Sequence, residues 1–284
     1  MSINLSGAAS AQFDAEVKHA FQGAGKLRDT VRVRTGVVGD THKFRSMGKG
    51  LAAARGTTQS DVAAMDVSHG LVTATLANYV APEYTDIFDA AEVNFDERRE
   101  LAGTIAGALG RRVDQIILDS LSAGSTIAHG STNMTLEKIT AASSALSDSG
   151  VPMSDRVMVC SAQAIEKMMN TTSITSADYN ALRVLMSGEI NTFMGFEWKM
   201  IENRSEIVGG AETREGGLAI ASNIRDCFAY HKSAVGLAVG VDVSTEVNYV
   251  PEKVSWLSLG KVKAGAATID TAGVVKVQID ESAA

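Results

Sequence analysis

Between residues 95 and 121, apolar side chains recur at Leu101, Ile105, Leu109, Val113, Ile116 and Leu121. The steps are mostly of four, which gathers them on one face of an α-helix. Asn94 is a good N-cap, and Glu97 three residues on completes a reciprocal capping pair that satisfies orphan backbone donors. Asp96 and Glu97 also complement the helix dipole. The pattern predicts a helix starting near Phe95 and terminating by Gly124, about 29 residues and roughly 43 Å long. Gly103, Gly107 and Gly110 share a second face. Glycine in a helix costs about 1 kcal/mol relative to alanine, so this face is read as one of close backbone packing. Membrane dimerisation through such spacing requires an apolar stretch, which Arg111, Arg112 and Asp114 interrupt.

Upstream, VRVRTGVVGDTHKFRSMGKGLAAARG and DVSHGLVTATLANYV are β-favouring at both ends and predict two strands around a long loop. A two-stranded ribbon has little core of its own, and its unpaired edges invite partners. Residues 1 to 30 read as a terminal arm, helical around Phe13, Val17 and Phe21 and cut short by Gly23 and Gly25, while APEYTDIFDAAEV is a connector into the long helix. A second helix from Thr135 carries Leu136, Ile139, Ala142 and Leu146 on one face and ends at Gly150 and Pro152. RVMVC reads as a buried strand, and Ser161 caps the helix AQAIEKMMN. LRVLMSG and FEWKMI extend the alternation into a compact α+β lobe from about 130 to 240, with GGAETREGG as a solvated loop. Beyond His231, Val241, Val243, Thr245, Val247 and Tyr249 alternate with polar residues, predicting one apolar and one polar strand face. Pro251 breaks that strand; VSWLSL, KVKAGAAT and VVKVQI supply short strands for an antiparallel sheet on which the long helix packs.

Charge changes the picture more than composition does. With 284 residues, 45% of them hydrophobic, the chain can bury a sizeable core in one large or two ordinary domains. A net charge of -7 argues against a tight, sequence-independent grip on nucleic acid. Arg32, Arg34, Lys43, Arg45, Lys49 and Arg55 are accompanied by one acid, Asp40. Asp61, Asp66, Glu83, Asp86, Asp89, Glu92, Asp96 and Glu97 then follow with no Lys or Arg before Arg98. Such runs are usually solvated faces. Their segregation within one chain lets identical copies meet head to tail, basic segment on acidic connector, in contacts that close into rings. There is no stretch of eighteen apolar residues and no signal-like start, which predicts folding in the cytoplasm.

Catalytic chemistry finds little support. The best enzymatic reading is a cysteine-dependent hydrolase with Cys160 at a strand-to-helix junction and His231 as base. The competing reading, a small buried thiol ending a strand, is the favoured one. His19, His42, His69 and His129 show no second ligand at metal spacing, and Gly48-Lys49 and Gly260-Lys261 lack the preceding glycine of a phosphate loop. No cofactor, metal site or catalytic set is assigned.

Taken together, LVTATLANYVAPEYTDIFDAAEVNFDERRELAGTIAGALGRRVDQIILDSL and the ending CFAYHKSAVGLAVGVDVSTEVNYVPEKVSWLSLGKVKAGAATIDTAGVVKVQID resemble a tailed-bacteriophage major capsid protein. The resemblance implies an α+β fold of the Hong Kong 97 type. Its parts are an N-terminal arm at 1–30, a β-hairpin extension at 31–77, a peripheral domain with spine helix and β-sheet at 78–130 and 241–284, and an axial domain at 131–240. It implies self-assembly into hexamers and pentamers of an icosahedral, double-stranded DNA phage head, a virion location after assembly in the host cytoplasm, and scaffolding, portal and decoration proteins as partners. The packaged DNA is enclosed without sequence-specific binding, and no membrane is involved. Subunit contacts are expected at Arg32, Arg34, Lys43, Arg45, Lys49, Arg55, Glu83, Asp86 and Asp89. Some members cross-link a Lys to a neighbour's Asn; Lys43, Lys49 and Asn248 match in kind only. An encapsulin-type compartment shell is the alternative with the same fold.

Overall fold

The computed structural model describes residues 25–58, 61, 64–88, 97–169, 192–203, 206–208, 211–213 and 217–283. In chain order the strands and helices are β1 (Arg32–Arg34), β2 (Thr41–Met47), β3 (His69–Thr75), β4 (Ala77–Asp86), α1 (Glu97–Leu121), β5 (Ser125–Ile127), α2 (Leu136–Asp148), β6 (Arg156–Ser161) and α3 (Ala162–Met169). They continue as β7 (Thr192–Phe193), β8 (Phe196–Ile201), β9 (Glu206–Val208), β10 (Ala211–Thr213), β11 (Ile220–Ala221), β12 (Ile224–His231), β13 (Val235–Val250), β14 (Ser255–Thr268) and β15 (Val274–Asp280). The architecture is α+β, as the sequence predicts.

The first sheet runs β1-β13-β14-β4 and carries α1 on one face. Gly260 of β14 lies under Ile105 and Leu109, where the missing side chain lets the helix seat on the sheet. Ile105, Leu109, Val113, Ile117 and Leu121 are buried along the helix. This is the unbroken row of fours that forms a ridge on a helix surface; the predicted Ile116 is only half-buried. The described part of α1 spans 25 residues, roughly 38 Å; Asn94, Phe95 and Asp96 lie outside the described residues, as does the cap they were expected to form. Of the three helix glycines, only Gly110 meets another backbone. A Cβ on Gly25 would stand 2.9 Å from the Gly110 carbonyl oxygen, whereas Gly103 faces open space.

Four expectations about the strands change. VSWLSL and KVKAGAAT are one continuous strand, β14, paired with β13 on one side and β4 on the other. β4 itself contains APEYTD, so the first part of the expected connector is an edge strand. The alternation in β13 buries no face of its outer half: Val241, Val247 and Tyr249 are each 42% exposed, and register shifts between Val239 and Val241 and between Val241 and Ser244 break the phase. VVKVQI joins the other sheet, where β15 pairs antiparallel with β12 and parallel with β5.

That second sheet runs β5-β15-β12-β6-β8-β7, with β11 on β12. β6 is buried along its whole length, as a strand with neighbours on both edges and layers on both faces must be. Ser161 caps α3 by accepting from the Ala164 N–H at 3.2 Å, as predicted. α2 is held at both ends by buried cations bonded to carbonyl and hydroxyl oxygens: the Lys138 ammonium donates to the carbonyls of His129, Thr132, Asn133 and Gln278. Arg156 donates to Ser143, Ser147, Val151 and Pro152 around the helix C-terminus. Burial holds both groups below their usual pKa. Near the C-terminus, Glu281 pairs with Arg225 at 2.6 Å, both side chains being nearly buried. GGAETREGG is not wholly loop, since β10 within it pairs with β9. LRVLMSG and the helical part of the terminal arm lie outside the described residues.

β2 and β3 form a hairpin in unbroken register from Thr41↔Thr75 to Met47↔His69. The ribbon has more core than expected. Phe44 seats against Gly236 of β13, where an added Cβ would come within 2.6 Å of the ring, and forms a small cluster with Ala74, Leu76 and Ala238.

Candidate functional site

Alternation along the hairpin sends Phe44 inward and leaves Lys43, Arg45 and Met47 exposed. Across the ladder, Leu71 stands opposite Arg45 and is 62% exposed; Met47 is 71% exposed. The outer face therefore runs Lys43, Arg45, Met47 along β2, with Leu71 across from Arg45. Arg55 is exposed in the loop beyond. Lys49 is engaged within the chain, donating at 2.8 Å to the Ser149 carbonyl at the C-terminus of α2. Arg32 and Arg34 do not belong to the hairpin: they lie exposed on β1, parallel to Gly236–Ala238. Asp40, the lone acid of the basic stretch, is paired with Lys263 at 2.6 Å, and that bond holds its carboxyl below the usual range.

The acidic residues are less convergent than the sequence suggests. Glu83 and Asp86 both sit on β4, but their odd spacing puts them on opposite strand faces. Asp86 shares its face with Val80 and Tyr84, which are 63% and 42% exposed, and accepts from the Phe88 N–H at 2.8 Å. Asp89 lies outside the described residues. β4 is the outer strand of its sheet, with a free edge interrupted by Pro82, the position where proline is tolerated in a sheet.

Sequence reasoning missed the anchor beneath the arm. Asp114 is fully buried in α1 and accepts from the backbone N–H groups of Lys26 at 2.9 Å and Leu27 at 3.0 Å. Thr30 donates to the Leu27 carbonyl, and the Tyr230 hydroxyl reaches Thr30 at 2.6 Å. Arg28 makes two bonds to Asp242, at 2.7 and 2.6 Å, and holds that carboxyl below its usual range. These groups fix the direction in which the chain crosses α1. The available signal was a charged residue, Asp114, next to Val113 of the apolar stripe.

The hydrolase reading is overturned. Cys160 is completely buried, and desolvation pushes its thiol well above the ordinary value. His231 pairs with Arg156 at the far end of β6, four residues from Cys160 and roughly 13 Å away at strand rise. Its ring is occupied with Ser233, at 2.7 Å to the hydroxyl. Among the described residues no cluster of His, Cys, Asp and Glu is arranged to hold a metal ion, and no helix is long and apolar enough to cross a membrane.

A family model described as phage capsid protein matches residues 5–281. No curated protein matches the chain. Among solved structures, the head of Helicobacter pylori bacteriophage KHP40 superimposes with a TM-score of 0.77 at 10% identity, covering 99% of each chain. Mycobacterium phage Che8 gives 0.71 at 16% identity over 100% of each chain. The capsid of a native GTA particle gives 0.69 at 14% identity, covering 98% of this chain and 99% of that one. The family match spans nearly the whole sequence, and the superpositions are equally extensive: the chain belongs to the phage capsid protein family.

Proposed function

We propose that this chain assembles into hexameric and pentameric capsomers of an icosahedral head that encloses double-stranded DNA without reading its sequence. Scaffolding, portal and decoration proteins complete the particle, which forms in the host cytoplasm. We further assign the α1-bearing sheet to a peripheral layer and the second sheet to an axial lobe, with β15 crossing back into the latter. The observation that carries the reading is the pair of exposed, oppositely charged apolar surfaces. The hairpin offers Lys43, Arg45 and Met47 along one strand with Leu71 across from Arg45; β4 offers Val80 and Tyr84 beside Asp86, with Glu83 at the same edge. The hairpin of one subunit lies on the β4 region of the next, Asp89 included, and Arg55 extends the basic rim. Rim charges contribute only about 0–1 kcal/mol each, but a closed shell multiplies each contact through every neighbour.

The test is co-expression with the cognate scaffolding protein, followed by sedimentation and negative-stain imaging. Arg45→Glu with Arg55→Glu is expected to abolish most particles while leaving the subunit folded, and the wild-type yield should fall as salt rises. Normal assembly of the double variant at both low and high salt would rule out the hairpin contact. A fully symmetric shell filled with protein would replace the phage head by a compartment.

A further inference from the structure

Beside the first turn of α2, four backbone carbonyl oxygens converge on one point. Those of His129 and Thr132 lie 2.7 Å from the Lys138 ammonium, that of Asn133 3.0 Å and that of Gln278 3.1 Å. An ammonium has three protons to give, fewer than the oxygens gathered around it, so the arrangement has the form of a cation's coordination shell. The shell does not depend on Lys138 for its shape. The His129 carbonyl also accepts from the Thr132 N–H and hydroxyl, both at 3.0 Å, and the Thr132 carbonyl accepts from the Asp280 N–H at 3.0 Å. Gln278 is fixed in the β12–β15 ladder opposite Asp226. The turn that presents the first three oxygens takes Gly130 at φ 55° and Ser131 at φ 54°, a left-handed backbone that a non-glycine residue keeps only where its surroundings impose it. The Ser131 N–H is secured on the His129 Nδ1 at 3.0 Å.

The dimensions of the shell select its ion. Oxygens at 2.7–3.1 Å stand too far out for calcium, which takes them at about 2.3–2.6 Å, or for magnesium, at about 2.0–2.1 Å. All four are neutral, and rings of neutral carbonyls are what replaces the hydration shell of potassium in its channels. We propose that the carbonyls of His129, Thr132, Asn133 and Gln278 form a monovalent-cation site of potassium or ammonium size, which the wild-type chain fills from within with the tethered ammonium of Lys138. Lys138 is then a built-in structural ion that joins α2, the turn at 129–133 and β15. The Asp280 carboxylate adds a favourable charge nearby for any cation placed there.

The experiment melts the full-length, unassembled subunit as wild type, Lys138→Ala and Lys138→Met in lithium, potassium, ammonium and choline chloride at equal ionic strength. Alanine vacates the shell, whereas methionine keeps it plugged with an uncharged chain. In lithium or choline chloride both variants are expected to melt about 5 °C or more below wild type, because buried carbonyls lose their donor. Potassium or ammonium is expected to return about half or more of that loss to Lys138→Ala, rising with ion concentration as binding to the folded state requires, and to return none to Lys138→Met. A lysine that only donates hydrogen bonds leaves its alanine variant indifferent to which cation is present. A Lys138→Ala chain that folds in potassium and not in lithium supports the proposal directly. It is overturned if Lys138→Ala is no more stable in potassium or ammonium than in lithium, the case in which it folds in none of them included, or if Lys138→Met recovers equally, which marks a general salt effect.

Discussion

Cys160 and Cys227 show how far a residue can be judged from its neighbours in sequence. Both occur in strand-like apolar runs, which made a buried, reduced thiol the favoured reading; both are fully buried and unpaired in β6 and β12. Their chemical behaviour follows from burial. Desolvation pushes Cys227 up to about 12 and Cys160 well above its ordinary value. A group whose folded pKa is raised contributes stability that is complete below the unfolded pKa and is lost as pH rises toward the folded one. The loss therefore begins near pH 8.5, where an unfolded thiol ionises, at up to about 1.4 kcal/mol per pH unit for each thiol. Melting temperature is expected to fall steadily above about pH 9, and the fall should be shallower in a Cys160→Ala, Cys227→Ala double variant. Tyr230, also raised by burial, maintains part of the slope above about pH 10 in that variant. Equal slopes in the two proteins would contradict the burial argument. Asp114 is the opposite lesson: its neighbours marked it as a charge that excludes a membrane span, and only the tertiary path of residues 25–31 shows why it is buried.

Elements were legible where periodicity alone defines them. Most of the α1 stripe, the helix α2 and the strand β6 follow from apolar spacing, because burial of one face is imposed by any partner surface. Properties that depend on which partner arrives were not legible. The three α1 glycines looked equivalent in spacing, but only Gly110 lies beneath another backbone, while nothing approaches within 4 Å of a Cβ on Gly103. The consequence is a split in sign. Gly103→Ala is expected to raise stability by about 1 kcal/mol through helix propensity alone. Gly110→Ala gains the same propensity but sets a methyl group 3.2 Å from the Gly25 nitrogen, a separation that backbone cannot easily widen, so it is expected to gain less or to lose stability. Chemical denaturation of the two variants side by side checks this, and equal stabilisation would show that the Gly25 crossing is loose. β13 failed for a related reason. Its alternation was read as one buried face, but bulges near Val241 break the phase and the outer half extends beyond the cover of α1.

At the scale of the molecule, segment order carried the overall plan, while the use of the basic residues depended on geometry that no spacing encodes. Of six cations read as one basic surface, Arg32 and Arg34 went to β1, Lys43 and Arg45 to the hairpin face, and Arg55 to the loop; Lys49 turned back onto its own body. Lys49 is therefore expected to act in the opposite sense to the contact proposed for Arg45. Its ammonium at the C-terminus of α2 complements the helix dipole and ties the hairpin loop to the body. Lys49→Gln is expected to speed limited proteolysis of the hairpin loop severalfold in the unassembled subunit, with little change in melting temperature, since one exposed bond contributes at most about 1 kcal/mol. Assembly should be unimpaired or faster in this variant, in contrast to the charge reversals at Arg45 and Arg55. If Lys49→Gln instead blocks particle formation while the loop stays as protease-resistant as wild type, Lys49 serves a neighbouring subunit and its bond to Ser149 is incidental.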